Sequence, residues 1–482
     1  MQTRKLRKYE IYEVSCSALV SEGYGLVHLK AENLKYPVKP LTGFILGILP
    51  SETGYIKVTR VRSKHFFGVL LSQKEIKEIT NEEVYRLHKE KPSKPLFEHK
   101  KWALLNVSKE RVDETCESFT FCGGCKLLHL PYEKTLEYKK NWLNIHFQRE
   151  KIELPNVEVI SLSDPYHYRN NIQVHINKYA KRGFYAPMSY RTMPFPEKGC
   201  LLFDQNIFDK SFPEKLKLER CIRSRIDDFS KTVNYASLNS PEDKNLMFQY
   251  NIEFPEKTVS TITIPNTSFF QVNSKILPLW LKKIEGYIKQ TRGEKNIQSK
   301  EIKVLEIFSG FGFITSLINY SLPLKSMGID ILKKEDLKKI KIENNLFDLP
   351  KNHEQKTKDN NVALAGGVFN NNRKEFEQNY IEANINELEK LSKENKKQIQ
   401  NYNADIILIN PPRGGFMPSQ IEIFFKEIWP EFKKPIIYSS CNAATFARDV
   451  NKLKELGYQL KEITLFDFFP WTSHFEVLGL LL

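Results

Sequence analysis

The chain has 482 residues, of which 41% are hydrophobic. This length exceeds what one hydrophobic core organises, so we expect two to four globular domains. The chain lacks any run of about 18 apolar residues, which argues against a membrane span. The charged segment MQTRKLRKYE has no apolar stretch and does not resemble a secretory signal.

The net charge of +15 fits a polyanionic partner, although lysine used as a generic surface residue gives the same number. Seven cysteines in a chain without an export signal favour a reducing, cytoplasmic compartment. In that compartment, clustered cysteines indicate a metal site or catalysis more often than disulfides.

Residues 1–72 carry short runs rich in β-branched and aromatic residues, separated by glycine-containing turns. About five short strands within seventy residues predict a small β-barrel of the OB type. The predicted strands are Tyr9–Val14, Phe44–Leu49, Gly54–Val58 and His65–Leu70.

A central region, residues 73–257, contains a cysteine cluster and a helical pattern from Tyr132 to about Gln148. From about residue 258 to residue 482, strand-like and helix-like segments alternate, which predicts a parallel sheet with crossover helices. The expected fold class is therefore α/β, with a Rossmann-like domain following a barrel and a central α/β domain. Residues 351–378 are rich in Asn, Lys, Gln and Glu, and most of them are predicted to form a solvated insertion.

The cysteine cluster has the spacing C-x5-C-x2-C in the segment CESFTFCGGC. Two adjacent glycines allow the backbone to fold tightly around a bound group. Three thiolates need a fourth ligand, and the candidates are Cys200 and Cys221, followed by His129 and Cys16. Four thiolates suit an iron–sulfur cluster or a structural zinc ion, and the spacing does not choose between them.

A glycine-containing turn, residues 309–312, follows the predicted strand Lys303–Phe308 and precedes the predicted helix Phe313–Ile318. Such a turn lets a ligand approach the backbone at the start of a helix. Asp330 lies about twenty residues later, at the end of the next predicted strand, where a carboxylate can bind ribose hydroxyls. The low glycine content suits a nucleoside ligand such as S-adenosylmethionine better than a dinucleotide. A further buried strand, Asp405–Ile409, delivers the segment NPPRG to the same edge of the sheet.

Cys441 follows an apolar run that predicts a buried strand, and Glu476 lies in an aromatic-rich segment about thirty residues later. A thiol and a carboxylate in one lobe can attack a pyrimidine ring and later remove a proton from it. We interpret them as a nucleophile and a base.

Together these segments resemble the RNA (uracil-5-)-methyltransferase family, specifically its iron–sulfur branch that modifies 23S ribosomal RNA. The N-terminal barrel is similar to a TRAM domain, an RNA-binding module. The family's motifs are matched in order by CESFTFCGGCKLLHLPYEKTLEYK, FQVN, FSGFGF, NPPRGG, SCNAATFARD and DFFPWTSHFE.

The resemblance implies S-adenosylmethionine-dependent methylation of carbon 5 of a uridine. Cys441 would be the nucleophile and Glu476 the base. The S-adenosylmethionine site would be lined by Gln271, Phe308, Phe313, Asp330, Asn384 and Asn410. A [4Fe-4S] cluster would be held by Cys116, Cys122, Cys125 and Cys200.

The chain departs from the family's pattern at Asn410, where the family has Asp, at Phe313, where it usually has Asn, and at Ala443, where it has Pro. The first two departures leave open a non-catalytic RNA-binding or assembly protein whose transfer site has decayed. A transfer RNA methyltransferase is the other alternative. The expected partner is RNA, most of all 23S rRNA, with no membrane and no obligate protein partner evident. RNA-facing segments are expected at Lys57–Phe67, Tyr168–Asn171 and Gly183–Tyr185.

Overall fold

The structure is a computed structural model, and it divides the chain into two compact units. The first unit comprises residues 1–142, 175–200 and 469–473, and the second comprises residues 143–174, 201–468 and 474–482. The residues that the structure describes are 6–29, 41–78, 98–177, 179, 182–203, 221–226, 233–237, 240, 243, 246–254, 258–265, 268–292, 301–319, 321–346, 376–377, 379–429 and 433–482.

The strands and helices are numbered in chain order. The strands are β1 Ile11–Leu19, β2 Gly25–His28, β3 Thr42–Leu46, β4 Thr53–Val61, β5 His65–Leu70, β6 Leu104–Asn106, β7 Val157–Ile160, β8 Asn171–Ile176, β9 Arg182–Tyr185, β10 Thr192–Pro194, β11 Cys221–Ile226, β12 Val233–Ser237, β13 Met247–Glu253, β14 Thr258–Pro265, β15 Ile302–Ile307, β16 Leu324–Asp330, β17 Lys341–Leu346, β18 Ile381–Glu382, β19 Ile406–Ile409, β20 Ile436–Ser440, β21 Leu460–Phe466 and β22 Glu476–Leu481. The α-helices are α1 Gln73–Glu78, α2 Tyr132–Arg149, α3 Leu277–Arg292, α4 Phe313–Ile318, α5 Lys334–Leu337, α6 Lys393–Tyr402, α7 Pro418–Ile423 and α8 Ala443–Glu455.

The first unit is built on a closed five-stranded barrel, which confirms the barrel predicted for residues 1–72. Its strands run in the order β1-β2-β3-β5-β4, and pairing of β1 with β4 closes it. Strand β1 alternates buried and exposed residues, as expected when one face of a strand lines a core. Gly43 is required where the Phe66 ring fills the interior, because a Cβ at position 43 would overlap that ring. Strand β2 was missing from the sequence prediction.

Strands β9 and β10 form an antiparallel hairpin in the first unit, with Thr192 opposite Tyr185. The end of β8 pairs with β9 through His175 and Gly183. Residues 469–473 join this unit by backbone bonds, since the amides of Lys126 and Leu127 donate to the Trp471 carbonyl at 3.0 and 3.1 Å.

The second unit contains an eight-stranded sheet in the order β18-β16-β15-β19-β20-β22-β21-β7. Strands β18, β16, β15, β19 and β20 are mutually parallel, which confirms the predicted α/β architecture. Strands β15, β19 and β20 are buried along almost their whole length, as parallel strands covered on both faces must be. Strand β22 runs antiparallel between β20 and β21, an arrangement that the alternating sequence pattern did not predict.

Two smaller β structures complete the second unit. Strands β13, β14 and β17 form an antiparallel sheet, and β11 pairs with β12 as a hairpin.

The predicted insertion 351–378 lies almost wholly outside the described residues. At its end, Phe376 is buried and its ring packs where Gly312 and Gly328 have no side chain. Within the part of the chain that the structure describes, no helix is both long and apolar enough to span a bilayer.

Candidate active site

Cys441 lies at the carboxyl end of β20, between that strand and helix α8. Strand β20 is fully buried, and the chain turns into the helix directly after the cysteine. The Asn442 side chain caps α8 by accepting a hydrogen bond from the Ala444 amide at 3.1 Å. The thiol is therefore held at the edge of the parallel sheet where α/β folds bind ligands.

The surroundings of the Cys441 thiol shift its pKa in opposite directions. Burial is the main influence that raises its pKa to about 11, and the negative charge of Glu476 contributes. The Arg413 guanidinium acts against this, because it donates a hydrogen bond to the sulfur and its positive charge favours the thiolate. At neutral pH the thiol is mostly protonated, and Arg413 is the side chain that favours its ionisation.

Glu476 begins β22, the strand next to β20, and this pairing brings the carboxylate close to the thiol. Ser440 pairs with Val477 across the two strands. The Ser439 hydroxyl donates to Glu476 Oε1 at 2.8 Å. Burial raises the pKa of the Glu476 carboxyl to about 7, although the Ser439 hydrogen bond acts to lower it. Glu476 can therefore gain and lose a proton near neutral pH, as a general base must.

Helix α8 holds the loop that carries Arg413. The Asn442 amide donates to the Arg413 carbonyl at 3.0 Å, and Arg448 donates to the Gly414 carbonyl at 2.9 Å. Gly415 has a positive φ of 75°, and a Cβ there would overlap the Asp449 carboxylate. The sequence motifs NPPRGG and SCNAATFARD therefore form one structural element, which fixes the backbone from which Arg413 extends.

Asp449 is the buried acceptor at the centre of this element. Its Oδ2 accepts hydrogen bonds from the Tyr438 hydroxyl at 2.7 Å and the Phe416 amide at 2.8 Å. Arg448 pairs with Oδ1 at 2.7 Å. Burial is the main influence that raises the pKa of Tyr438, and the charge of Asp449 and its hydrogen bond with the phenol add to it, so the phenol stays protonated as a donor.

Replacing Asp449 with alanine should lower the free energy of unfolding by about 3 kcal/mol, because two buried donors lose their acceptor. Asp449→Asn keeps one acceptor oxygen and should lose less. Urea unfolding followed by tryptophan fluorescence measures both variants. Equal stability of Asp449→Ala and the parent protein would contradict the structural role assigned to this carboxylate.

The glycine turn adopts the backbone conformations that a close ligand approach requires. Phe308, Gly310 and Gly312 all have positive φ angles, of 61°, 54° and 69°. For Phe308 this conformation is costly, and such strain occurs most often at ligand sites. The Asp330 carboxylate accepts hydrogen bonds from the Gly310 amide at 2.9 Å and the Leu332 amide at 3.1 Å, so it also holds the turn.

The other predicted cofactor residues lie around this turn and at the neighbouring strand ends. Asn410 follows β19, and its amide donates to the Ile307 carbonyl at 3.2 Å. Asn384 follows β18 and caps a short 3-10 helix through the Asn386 amide. Phe313 is only 8% exposed, and its ring packs near those of Phe270, Phe311 and Trp280. The side chain that replaces the family's Asn thus belongs to an aromatic cluster.

Gln271 lies in the loop before α3, and the sequence analysis missed how that loop is positioned. The fully buried Asn170 side chain donates to the Gln271 carbonyl at 3.2 Å and to the Ser274 hydroxyl at 3.1 Å. Tyr168 is also fully buried. The expectation that Tyr168–Asn171 faces RNA is therefore wrong for Tyr168 and Asn170, because their side chains are packed inside the protein.

The four cysteines proposed for a cluster all belong to the first unit, whereas the alternative ligand Cys221 belongs to the second and accepts a hydrogen bond from Gln173. The Glu197 amide donates to the Glu117 carboxylate at 2.7 Å, which ties the segment before Cys200 to the one after Cys116. Burial raises the pKa of Cys122 and the nearby Cys116 adds to this, so these two thiols lie near each other. Within the described ranges no three His, Cys, Asp or Glu side chains are placed to hold a metal ion. The structure therefore shows neighbouring loops without an assembled metal cage, and no catalytic step below depends on a cluster.

The structure brings together Cys441, Glu476 and Arg413 at one edge of the sheet, and places the glycine turn, Asp330, Asn384 and Asn410 at the ends of neighbouring strands. Sequence reasoning missed the roles of Ser439 and Asp449. The only sequence signal for Asp449 was its place in the segment SCNAATFARD, and Ser439 carried none.

An eight-stranded, mainly parallel sheet with ligand-facing turns at its carboxyl edge defines an α/β domain of the Rossmann-like class. A family model described as tRNA (Uracil-5-)-methyltransferase matches residues 256–482. This part of the chain is a domain of that family.

Similar proteins cover more of the chain. A protein of Leptospira interrogans described as an uncharacterized RNA methyltransferase is 29% identical over 78% of this chain and 81% of its own length. One from Oceanobacillus iheyensis with the same description is 23% identical over 98% of this chain and 96% of its own. The fold is similar to a crystal structure of Pyrococcus abyssi tRNA (uracil-54, C5)-methyltransferase in complex with S-adenosyl-L-homocysteine. The TM-score is 0.56 at 19% identity, covering 97% of this chain and 99% of that one.

Proposed function

We propose that this protein transfers a methyl group from S-adenosylmethionine to carbon 5 of a uridine in RNA, through a covalent bond between Cys441 and the base. The observation that carries the proposal is a cluster of three groups. The pairing of β20 with β22 brings the Glu476 carboxyl, which has a raised pKa, near the Cys441 thiol, and Arg413 donates a hydrogen bond to that thiol. This arrangement lies inside the tRNA (uracil-5-)-methyltransferase-family domain.

The first chemical step is addition of the Cys441 thiolate to carbon 6 of the uracil. The sulfur–carbon bond forms, and the electrons of the ring's carbon 5–carbon 6 double bond move into an enolate. Carbon 5 becomes nucleophilic, which it is not in free uracil. Arg413 assists because its positive charge favours the thiolate. The target base must leave its stack to reach the thiol.

In the second step, carbon 5 attacks the methyl group of the sulfonium substrate, and the bond from that methyl carbon to sulfur breaks. The residues proposed to hold this substrate are Gln271, Phe308, Phe313, Asp330, Asn384 and Asn410. The strained turn and the Asp330 carboxylate support this placement, because they offer backbone groups and an acceptor at the sheet edge. We propose that Phe313 contributes through the packing of its aromatic cluster and makes no polar contact.

In the third step, the Glu476 carboxylate removes the hydrogen from carbon 5. The electrons of that bond re-form the ring double bond and expel the Cys441 thiolate. With a pKa of about 7, Glu476 is deprotonated in a large fraction of molecules at neutral pH and still basic enough to accept this proton. Ser439 orients the carboxylate through its hydrogen bond.

Replacing Arg413 with glutamine should raise the pKa of Cys441 further, because the thiolate loses its positive neighbour. We expect alkylation of Cys441 by iodoacetamide at neutral pH to slow by about tenfold. Mass spectrometry of the Cys441 peptide measures this without any RNA. Arg413→Lys is the matched control that keeps the charge, and an unchanged rate in Arg413→Gln would remove Arg413 from the scheme.

For the RNA substrate we propose 23S rRNA, on the resemblance of the barrel and the cysteine segment to the iron–sulfur branch. Transfer RNA is the competing substrate, since the similar Pyrococcus abyssi structure is of a tRNA enzyme. Unmodified 23S rRNA fragments and tRNA transcripts, incubated with methyl-labelled S-adenosylmethionine, separate the two. Label in tRNA alone would overturn the rRNA proposal, and label in neither would favour a non-catalytic RNA-binding protein.

We propose that residues 1–72 form a TRAM-type module that binds RNA, that residues 73–257 form a central domain, and that residues 258–482 carry out the transfer in the cytoplasm. We also propose that Cys116, Cys122, Cys125 and Cys200 bind a [4Fe-4S] cluster. Support comes from the donor chemistry, four thiols in one unit on adjoining loops.

Protein purified without oxygen should be brown and contain about four iron and four sulfide ions per chain. Cys122→Ser should lose most of the iron, whereas Cys221→Ser should keep it. Colourless protein with one zinc ion per chain would show that the site is a structural zinc site.

A further inference from the structure

A groove of about 430 Å³ lies entirely within the first unit, and nothing in the proposed catalytic scheme uses it. We name it the tyrosine groove. Its principal lining residues are Tyr24, Leu46, Arg60, Lys126, Tyr185 and Tyr190.

The barrel, the cysteine segment and the β9–β10 hairpin all contribute to this lining. Arg60 comes from β4, and Lys126 follows the cysteine segment. Tyr185 ends β9, and Tyr190 lies in the turn before β10. Three separate chain segments therefore form the groove, so the groove exists only when the first unit is folded.

The aromatic rings of the groove combine exposure with fixed positions. Tyr190 is 89% exposed and Tyr185 is 36% exposed, and their rings meet edge to face with centroids 5.6 Å apart. The Tyr185 ring also stacks on His175, with centroids 3.6 Å apart. The Tyr185 carbonyl accepts a hydrogen bond from the Gly123 amide at 2.9 Å. Rings held in this way need little reorganisation before a planar ligand stacks on them.

The charge of the groove is positive. Among the described residues that line it there are two cations, Arg60 and Lys126, and no carboxylate. Lys126 donates to the Glu22 carbonyl at 2.8 Å and lies 4.5 Å from the centre of the Tyr24 ring, so its ammonium is held in place. Arg60 has no ion pair with any carboxylate of the described chain. Fixed positive charge beside exposed aromatic faces complements a phosphate that is linked to a planar base.

We infer that the tyrosine groove binds an unpaired nucleotide of single-stranded RNA, with its base stacked on Tyr190 or Tyr185 and its phosphate near Arg60. A base in a duplex cannot present its face to these rings, so the groove selects unstacked RNA. This inference rests on the proposed function for its choice of RNA, and it adds a second nucleotide-binding position outside the catalytic domain.

The test uses the full-length protein and a fluorescein-labelled oligouridylate of about twelve nucleotides, a length within the range that barrel modules of this kind bind. Fluorescence anisotropy without S-adenosylmethionine measures the Kd. Tyr190→Ala should raise the Kd about tenfold, because loss of one stacking ring costs roughly that much. Tyr190→Phe should bind as the parent protein does. Arg60→Gln should reduce the slope of log Kd against log salt concentration by about 0.7, the share of one phosphate contact on a single strand.

Tyr179→Ala is the matched control, because Tyr179 is in the same unit and 70% exposed but does not line the groove. A blunt RNA duplex of similar length should bind equally to all variants. Oligouridylate binding that is absent in the parent protein, or equal in Tyr190→Ala and Tyr179→Ala, would overturn the inference.

The outcomes for the groove and for methylation are separable. Oligouridylate binding is measured without S-adenosylmethionine, so it does not depend on methyl transfer. If the parent protein methylates no RNA but Tyr190→Ala still weakens binding, the groove is supported and the catalytic proposal fails. If the parent protein methylates RNA and Tyr190→Ala binds the oligouridylate normally, the catalytic proposal is supported and the groove inference fails.

Discussion

Replacing Cys441 with alanine should lower methyl transfer to RNA by about a thousandfold or more, because the ring then has no nucleophile to activate carbon 5. The variant should remain folded, since the half-buried thiol leaves only a small change in packing. Transfer of labelled methyl groups from S-adenosylmethionine measures the loss directly.

A second readout isolates the covalent bond. RNA that carries 5-fluorouridine in place of uridine has no hydrogen on carbon 5, so Glu476 cannot complete the reaction and the adduct should accumulate. Denaturing gel electrophoresis should show a protein–RNA band with the parent enzyme and none with Cys441→Ala.

Cys221→Ala is the matched control for both readouts, because Cys221 is also half-buried and in the same unit, but its partner is Gln173. Parent-level methylation by Cys441→Ala would refute the covalent scheme. A covalent band that persists in Cys441→Ala and vanishes in Cys221→Ala would move the nucleophile to the other cysteine.

Much of the fold could be predicted from the sequence because its strands carry strong local signals. Strand β5 has the predicted bounds His65–Leu70, and helix α4 has the predicted bounds Phe313–Ile318. Strand β2 was missed because its four residues, GLVH, are too few to show a pattern. The antiparallel placement of β22 depends on which strand it pairs with, and periodicity contains no information on pairing partners.

The site was less predictable because its chemistry depends on contacts between residues far apart in the chain. Glu476 acquires its raised pKa from burial and its orientation from Ser439, 37 residues earlier. Tyr168 and Asn170 lie in a polar segment whose composition is compatible with RNA contact, yet both are buried, and the Asn170 side chain bonds to the Gln271 carbonyl 101 residues later. The cysteine segment shows a different limit of sequence reasoning. Its regular spacing predicts metal ligands, but among the described residues no three such side chains are placed to hold a metal ion.

The pH dependence of turnover should report the ionisation of Glu476. Only the carboxylate form of Glu476 can accept the proton from carbon 5, and only the Cys441 thiolate adds to carbon 6. The rate should therefore rise with pH and rise less steeply above about 7, where Glu476 is already ionised and the thiol still titrates. Ser439→Ala removes the hydrogen bond that lowers this pKa, and its profile should therefore shift to higher pH. A profile that is flat through pH 7, or one that shifts to lower pH in Ser439→Ala, would exclude Glu476 as the base.

Glu476→Gln should lower turnover by about a hundredfold to ten-thousandfold and should accumulate the methylated adduct on ordinary uridine RNA, because addition still occurs but the proton stays on carbon 5.

The same variant should be more stable than the parent at alkaline pH. A carboxyl whose pKa rises from 4.5 in the unfolded chain to about 7 in the folded one stabilises the fold fully below pH 4.5 and loses that contribution as pH rises through 7. Glutamine stays neutral, so at pH 8 it should gain on the order of 3 kcal/mol over the parent, with little difference at pH 4. Urea unfolding at both pH values tests this, and a variant that is inactive but no more stable at pH 8 would mean that the buried carboxylate is compensated by a partner other than Ser439.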